Sequence, residues 1–486
     1  MKKFIAVLTV VALVLGVLSP AALAGQLLDR GVFMDQFSQT DANGDMFRVS
    51  YLKVNLSDPK VEIKPVLARE QFGKLEPLSQ MAGRYGAIGA INGTFFNLDP
   101  DVSIPIDTIV MNKELVSMNS RLATSLIINS DRKISFDDFL PLVTVKLPSQ
   151  AVIFEATAVN HPTGNGIVLY TPAYGATTGT PGVTNEVVVS RNESGGEQVT
   201  ANVSGNASIP ANGYVLSFQG EAARYFPYFS VGQAAELKIS FRDKTGIEHM
   251  FATGPMLVRD GARTVPIDME GLGSPMAGRH PRSALGLTRD GRLLLVVVDG
   301  RQPGVSVGMT FDELARQMVE LGAWNAMALD GGGSSELLAT GAIVNSPADG
   351  RERQISNAIL VISQVPVYVD GKRLYFTDVP PTMLSGRLFV PLRAVFEALQ
   401  AQVNWDDKTR TITAERGKNK VVLTIGKKTA KVNGRAVPLD APPTVIGGRT
   451  LIPLRFSAEA LGVKVTWNRQ TESAYLTTTP ASAAKK

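Results

Sequence analysis

Residues 292–336 read RLLLVVVDGRQPGVSVGMTFDELARQMVELGAWNAMALDGGGSSE. The run from Arg292 to Val298 is apolar and rich in β-branched residues, the pattern of a strand covered on both faces. It stops at Asp299-Gly300-Arg301. Thr310-Phe311-Asp312-Glu313 then supplies the Thr-x-x-Glu capping box that opens a helix. Leu314, Met318 and Leu321 give that helix an apolar face, and Gly322 ends it. A second apolar run, 325–329, breaks off in Asp330, three glycines, two serines and Glu336. The spacing predicts a strand–helix–strand unit whose crossover is long enough for parallel pairing. Asp299 and Asp330 would then emerge at one carboxyl edge, where open parallel sheets bind ligands. The glycine amides beside serine hydroxyls suit an anion nest; the blander reading is a flexible turn. A carboxylate at the mouth of such a nest suits a phosphate-bearing substrate whose reaction develops positive charge.

Around this unit, chemistry-bearing residues recur in short clusters. Ile91-Asn92-Gly93-Thr94-Phe95-Phe96-Asn97 ends a strand; Asn92 is either a ligand for sugar or phosphate oxygen or the asparagine of a turn. Arg279-His280-Pro281-Arg282 leads into the strand ending at Asp299, and its arginines match phosphate geometry or form a solvated basic loop. Arg351-Glu352-Arg353 is a similar candidate. Residues 141–250, rich in Val, Thr, Gly, Asn and Pro, read as a β-rich insertion or subdomain.

Length suggests about three domains at roughly 150 residues each. Met1-Lys2-Lys3, an apolar run to Leu18 and Ala22-Leu23-Ala24 read as an export signal cut after Ala24, short for a span of about 20 residues, with an uncleaved N-terminal anchor as the alternative. The mature chain is expected to be secreted or wall-associated in a Gram-positive-type bacterium, with no integral membrane span after cleavage. With no cysteine, disulfides, thiolate chemistry and zinc–cysteine sites are excluded. His161, His249 and His280 show no metal-ligand pairing. Chemistry must rest on carboxylates, arginines, hydroxyls and amides.

From Val365 the chain repeats itself at an offset of 62: Pro391-Leu392-Arg393 against Pro453-Leu454-Arg455, and Trp405 against Trp467. Each unit reads as strand, Pro-initiated helix, strand, and the paired tryptophans read as core residues. This tail holds 19 Lys and Arg against 9 Asp and Glu, net +10, whereas residues 25–364 hold 28 against 35, net −7. A basic tail on an acidic body suggests docking to an anionic wall polymer or membrane surface. Nucleic acid is excluded as a partner for an exported chain without basic–aromatic interleaving. The expected boundaries are 1–24 for the signal, 25–364 for the body and 365–486 for the tail. The expected fold class is α+β and β-rich, a mixed-sheet catalytic domain with a small C-terminal α/β domain of two repeats.

The ordered motifs INGTFF (91–96), GPMLVRDG (254–261), HPRSALG (280–286), VDGRQPGVSVGMTFDELA (298–315), NAMALDGGGSS (325–335) and RQISNAIL (353–360) closely resemble the phosphodiester glycosidase domain family. That family includes an animal N-acetylglucosamine-1-phosphodiester α-N-acetylglucosaminidase, and the resemblance covers roughly residues 80–364. The tail resembles the copper amine oxidase N-terminal-like, or stalk, domain; it has no histidine, so no copper site is expected. The first resemblance implies removal of a sugar from a glycosyl-1-phosphodiester in a wall or exopolysaccharide polymer. Carried onto this chain, it implies Asp299 and Asp330 as catalytic residues, with Asn92, Thr94, Arg282, Ser334 and Arg353 holding substrate. Arg301 and Glu336 lie beside the motifs, with no role assigned.

The chemistry agrees with that expectation. Cleavage between anomeric carbon and phosphate oxygen passes through an oxocarbenium-like state that a carboxylate stabilises or attacks through water. The leaving phosphate is already anionic, so no histidine acid is needed. No cofactor is required. Two alternatives stay open: a phosphodiesterase using Ca²⁺ or Mg²⁺ on Asp299 and Asp330 to cut at phosphorus, and a non-catalytic wall-binding protein.

Overall fold

The computed structural model describes residues 25–478 except 30, 99–102, 243, 265–275, 375, 377–378, 385 and 447–448. The expected export signal, 1–24, lies outside the described residues. Among the described residues no helix is long and apolar enough to cross a membrane.

The body is built on two sheets packed face to face. The larger has eight strands in the order Gln26–Asp29, Val32–Thr40, Met46–Asn55, Arg292–Val298, Arg282–Thr288, Ala323–Ala328, Met256–Arg259, Ala262–Arg263. The smaller has five, with Gly89–Asn92 between Leu337–Ala339 and Asn357–Ser363, flanked by Ala342–Ile343 and Val61–Leu67. Leu293, Leu295 and Val297 of the first sheet meet Ile91, Leu337, Ile359 and Val361 of the second in one core. The alternate residues Leu294, Val296 and Val298 point the other way, onto Phe311, Leu314, Ala315 and Met318 of the helix Phe311–Glu320. Ala90, Leu338 and Leu360 likewise cover the helix Leu78–Tyr85. Helix, sheet, sheet and helix thus stack in layers, which is why 293–298 is apolar at every position, with only Arg292 at the strand's start exposed.

The direction of pairing differs from expectation. Arg292–Val298 and Ala323–Ala328 do run the same way and are joined through the helix, but Arg282–Thr288 lies between them, antiparallel to both. Every pairing in the eight-stranded sheet is antiparallel. The reason is local. Asp290-Gly291, with Gly291 at φ 78°, turns 282–288 straight back into 292–298 as a hairpin. A continuous apolar run reports two covered faces, and those faces are covered here by a sheet and a helix without any parallel neighbour.

Residues 142–240 add a three-stranded sheet, Val152–Glu155, Leu142–Leu147 and Glu236–Ser240, and a five-stranded one centred on Gly213–Gln219. Their core (Val143, Leu169, Val187, Leu216, Phe218) runs on into Val110, Leu115, Ile127 and Met250 of a further sheet.

Beyond 365 the two repeats fold alike: strand, helix and two strands at Arg387–Pro391, Leu392–Ala398, Gln402–Asp406 and Thr411–Arg416 recur at Arg449–Pro453, Leu454–Ala460, Val463–Asn468 and Ser473–Thr478. Strands Arg387–Pro391 and Arg449–Pro453 pair antiparallel about Val390 and Ile452, so the copies are related by a local pseudo-twofold. The tryptophans are not core residues: Trp405 is 47% and Trp467 36% exposed, and smaller apolar side chains such as Val390, Phe396, Leu461 and Leu476 fill the interior. Lys60 pairs with Glu472 and Arg373 donates to the Pro59 carbonyl, tying tail to body.

Candidate active site

Antiparallel pairing still brings the two aspartates to one edge. Val298 stands opposite Arg282 and Ala328 opposite Ala284, so Asp299 and Asp330 follow strands on either side of the same segment. Two strand spacings separate their backbones, about 10 Å. Between them runs Pro281, whose carbonyl accepts the Gly332 amide at 2.9 Å.

The glycine turn is not a free anion nest. The Gly331 amide donates to Asp330 Oδ1 (2.9 Å), Ser334 to the Gly331 carbonyl (3.2 Å), Ser335 to the Gly332 carbonyl (3.2 Å) and Glu336 to Asn92 Oδ1 (3.2 Å). The chain closes on itself as a 3-10 turn over Gly332–Ser334. What the glycines provide is close approach. A Cβ on Gly333 would sit 2.0 Å from Arg353 Nη2 and 2.5 Å from Asp349 Oδ2; one on Gly332 would lie 3.4 Å from Arg301 Nη2. Two guanidinium groups therefore rest directly on the turn that carries Asp330.

Asp330 is half-buried. Burial pushes its carboxyl up to about 6, against the pull of Ser334, the Gly331 amide and the Arg353 charge. Ser334 is itself buried, and its Oγ stands beside that carboxylate without reaching hydrogen-bond geometry. Asp299 is 1% exposed; Oδ1 accepts from Asn345 Nδ2 (3.0 Å) and the Ser346 amide (2.9 Å), while Oδ2 lies 3.7 Å from Arg48 Nε without a hydrogen bond. Burial raises this carboxyl too. Glu336 is fully buried, with Oε1 accepting the Arg353 amide (2.6 Å) and Oε2 unpartnered, and burial pushes it up to about 8. Buried oxygens without a hydrogen bond on Asp299, Ser334, Ser335 and Glu336 along this edge are costly for folding, and such clusters are a mark of functional sites.

Three expected substrate contacts prove to be internal fastenings. Asn92, 1% exposed, donates to the Asp330 carbonyl (2.7 Å) and accepts from Ser283 Oγ (2.7 Å), so its amide clamps both sheets to the turn. Thr94, 2% exposed, is bonded through its amide and Oγ1 to Asn357 (2.9 Å each). Arg282, 2% exposed, donates to the carbonyls of Met309 (2.8 Å), Met276 (2.7 Å) and Gly278 (2.7 Å) and stacks on Phe311 at 3.9 Å. Burial lowers its guanidinium to about 10. Its neighbour Arg279 is caged by Asp41, Asp45 and Glu313.

The positive charge at the edge comes instead from Arg301, whose Nη2 is 3.2 Å from His280 Nδ1, from Arg353, paired with Asp349 at 2.7 Å, and from Arg48. Arg48 and Asn345 were not singled out by sequence. Arg48 sits in an ordinary alternating strand, and Asn345 looks like any turn asparagine; only tertiary structure brings them to Asp299. Among the described residues no three His, Asp or Glu side chains form a group fit to hold a metal ion.

Residues 181–362 match the phosphodiester glycosidase family, and residues 368–476 the copper amine oxidase N-terminal domain. The first match takes in both aspartates and the glycine turn but not the 91–96 motif. The SPbeta prophage-derived uncharacterized protein YomE of Bacillus subtilis is 31% identical over 201 residues, 37% of this chain and 30% of that protein. The uncharacterized protein RC0079 of Rickettsia conorii is 28% identical over 229 residues, 45% of this chain and 77% of its own. The chain thus spans under a third of the first relative's length. A crystal structure of a hypothetical protein from Synechocystis, 24% identical, covers 69% of this chain and 62% of its own with a TM-score of 0.61, and it shares the fold.

Proposed function

We propose that this phosphodiester glycosidase-like body hydrolyses glycosyl-1-phosphodiesters, releasing free sugar and a phosphomonoester. The observation that carries this reading is Asp330, a carboxyl raised to about 6, on a glycine turn with two arginines laid against it. Above that pH its carboxylate faces the anomeric carbon as positive charge develops there, or takes a proton from the attacking water. Arg353 and Arg301 grip the phosphate, tightening as it departs with the bonding electrons. Asp299, held by Asn345 and Ser346, adds a second negative charge beside Arg48 and sets the field of the edge. Asn92, Thr94 and Arg282 act as positioning residues that hold the turn. The substrate we infer is a wall or exopolysaccharide polymer outside a bacterial cell.

The deciding test is hydrolysis of a glycosyl-1-phosphate diester panel in isotopically labelled water. Label is expected in the released sugar, from carbon–oxygen cleavage. Label in the phosphate would mean attack at phosphorus and would sink the assignment.

Gly333→Ala tests the arginine grip. The new methyl must push Arg353 and Asp349 aside, and both are movable side-chain ends, so melting should shift little. Losing a charge-assisted phosphate contact, worth about 1.5–3 kcal/mol, should raise the apparent substrate constant by about tenfold or more. An unchanged constant would remove Arg353 from the proposed site.

A further inference from the structure

Among the described residues of the tail, the exposed large hydrophobic side chains are Met383, Trp405, Val445 and Trp467. They form two pairs at the repeat offset of 62, Met383 with Val445 and Trp405 with Trp467. Met383 and Trp467 line one groove of about 420 Å³, together with Arg387, Asp440, Arg455 and Glu459. That volume lies within the range of about 300–1,000 Å³ for small-molecule sites. The groove is composite: Met383 and Arg387 come from the first repeat, and the helix bearing Arg455 and Glu459, with Trp467 on the strand after it, from the second. At the repeat offset the equivalent residues are Val445, Arg449, Arg393, Glu397 and Trp405, with Arg449 lining a separate cavity beside Leu67, Phe72 and Tyr174 of the body.

Charge in the groove differs from charge in the tail. The tail is net +10, but Arg387 and Arg455 are matched there by Asp440 and Glu459, and Arg387 Nε lies 3.8 Å from Asp440 Oδ2. A polyanion gains little from a locally neutral site. A flat exposed indole flanked by guanidinium and carboxylate groups suits a ligand with an apolar face and hydroxyls at its rim, since ring faces stack on carbon–hydrogen surfaces and the planar polar groups take hydroxyl hydrogen bonds.

We propose that the tail is a bivalent binding module for a neutral glycan, one sugar stacking on Trp467 in the groove and another on the exposed Trp405 at the equivalent place of the other repeat. Two linked sites on one polymer raise overall avidity by about 10²–10⁴ over either alone, provided the polymer spans both.

The full chain and its W405A, W467A and double variants should be tested for retention on cellulose, chitin and wall glycan stripped of anionic polymer. Retention on at least one is expected to survive 1 M salt, where the Debye length is about 3 Å. Each single variant should weaken it several-fold and the double variant abolish it, while W467F, which keeps a ring, restores part. Melting curves matching the parent separate lost binding from lost folding. Retention that salt removes, that ignores both tryptophans, or that is absent on all three polymers overturns the proposal.

Discussion

Asp330→Asn should leave a folded protein whose turnover is lower by about two orders of magnitude or more, the loss expected when a transition-state charge is removed. Size and hydrogen-bond acceptance toward the Gly331 amide are retained. The sign of the stability effect follows from its titration. A carboxyl held at about 6 when folded, against its ordinary 3.8, costs stability as pH rises through that interval, because the unfolded chain gives up its proton first. Removing the charge at pH 7 should therefore leave melting unchanged or higher. Higher stability with lost turnover is the pattern of a group strained for chemistry. Kinetics on a glycosyl-1-phosphate diester and thermal melting at pH 7 check it together. Turnover within a few-fold of the parent would remove Asp330 from the reaction, and an unfolded variant would make it structural.

What could be read from sequence was whatever depends on nearest neighbours. The capping box is present in both halves, with the Glu313 amide on Thr310 Oγ1 at 3.2 Å and the Thr310 amide on Glu313 Oε2 at 2.9 Å. The doubly covered strand 292–298 and the common edge of Asp299 and Asp330 follow from periodicity and a crossover. The strand order did not, although Asp290-Gly291 carried the hairpin signal that places 282–288 between them. Side-chain commitment was also hidden. Asn92 and Arg282 have the chemistry of ligands, but whether their hydrogen bonds are spent inside depends on Ser283, Met276, Gly278 and Met309, which spacing does not locate. Three consecutive glycines suggest free amides, whereas their missing side chains are what matter to Arg301 and Arg353. Burial statistics favour tryptophans as core residues, but the pseudo-twofold leaves Trp405 and Trp467 both outside.

Glu336 carries the other large expected effect. Its carboxyl, fully buried, is raised from 4.5 to about 8 and so stays protonated at neutral pH. Between those values the folded chain holds a proton that the unfolded chain has lost, so stability must fall as pH rises from about 4.5 to about 8. At about 1.36 kcal/mol per pKa unit, the loss is on the order of 3–5 kcal/mol. Glu336→Gln cannot titrate, and any constant cost of the amide cancels when the two proteins are compared across pH. Denaturant unfolding at pH 5 and pH 8.5 should therefore show the difference moving toward Gln by several kcal/mol; parallel pH curves would mean that Glu336 does not hold its proton. The same titration bears on activity. Glu336 Oε1 accepts the Arg353 amide, so a further carboxylate ionising above about 8 sets a negative charge beside the arginine proposed to grip the phosphate. Activity should rise through about 6 as Asp330 ionises and fall through about 8 as Glu336 does, a bell set by two carboxyls whose surroundings separate them. In Glu336→Gln the acid limb should remain and the alkaline limb disappear. An alkaline limb that persists would assign it to another group and leave Glu336 a structural acid.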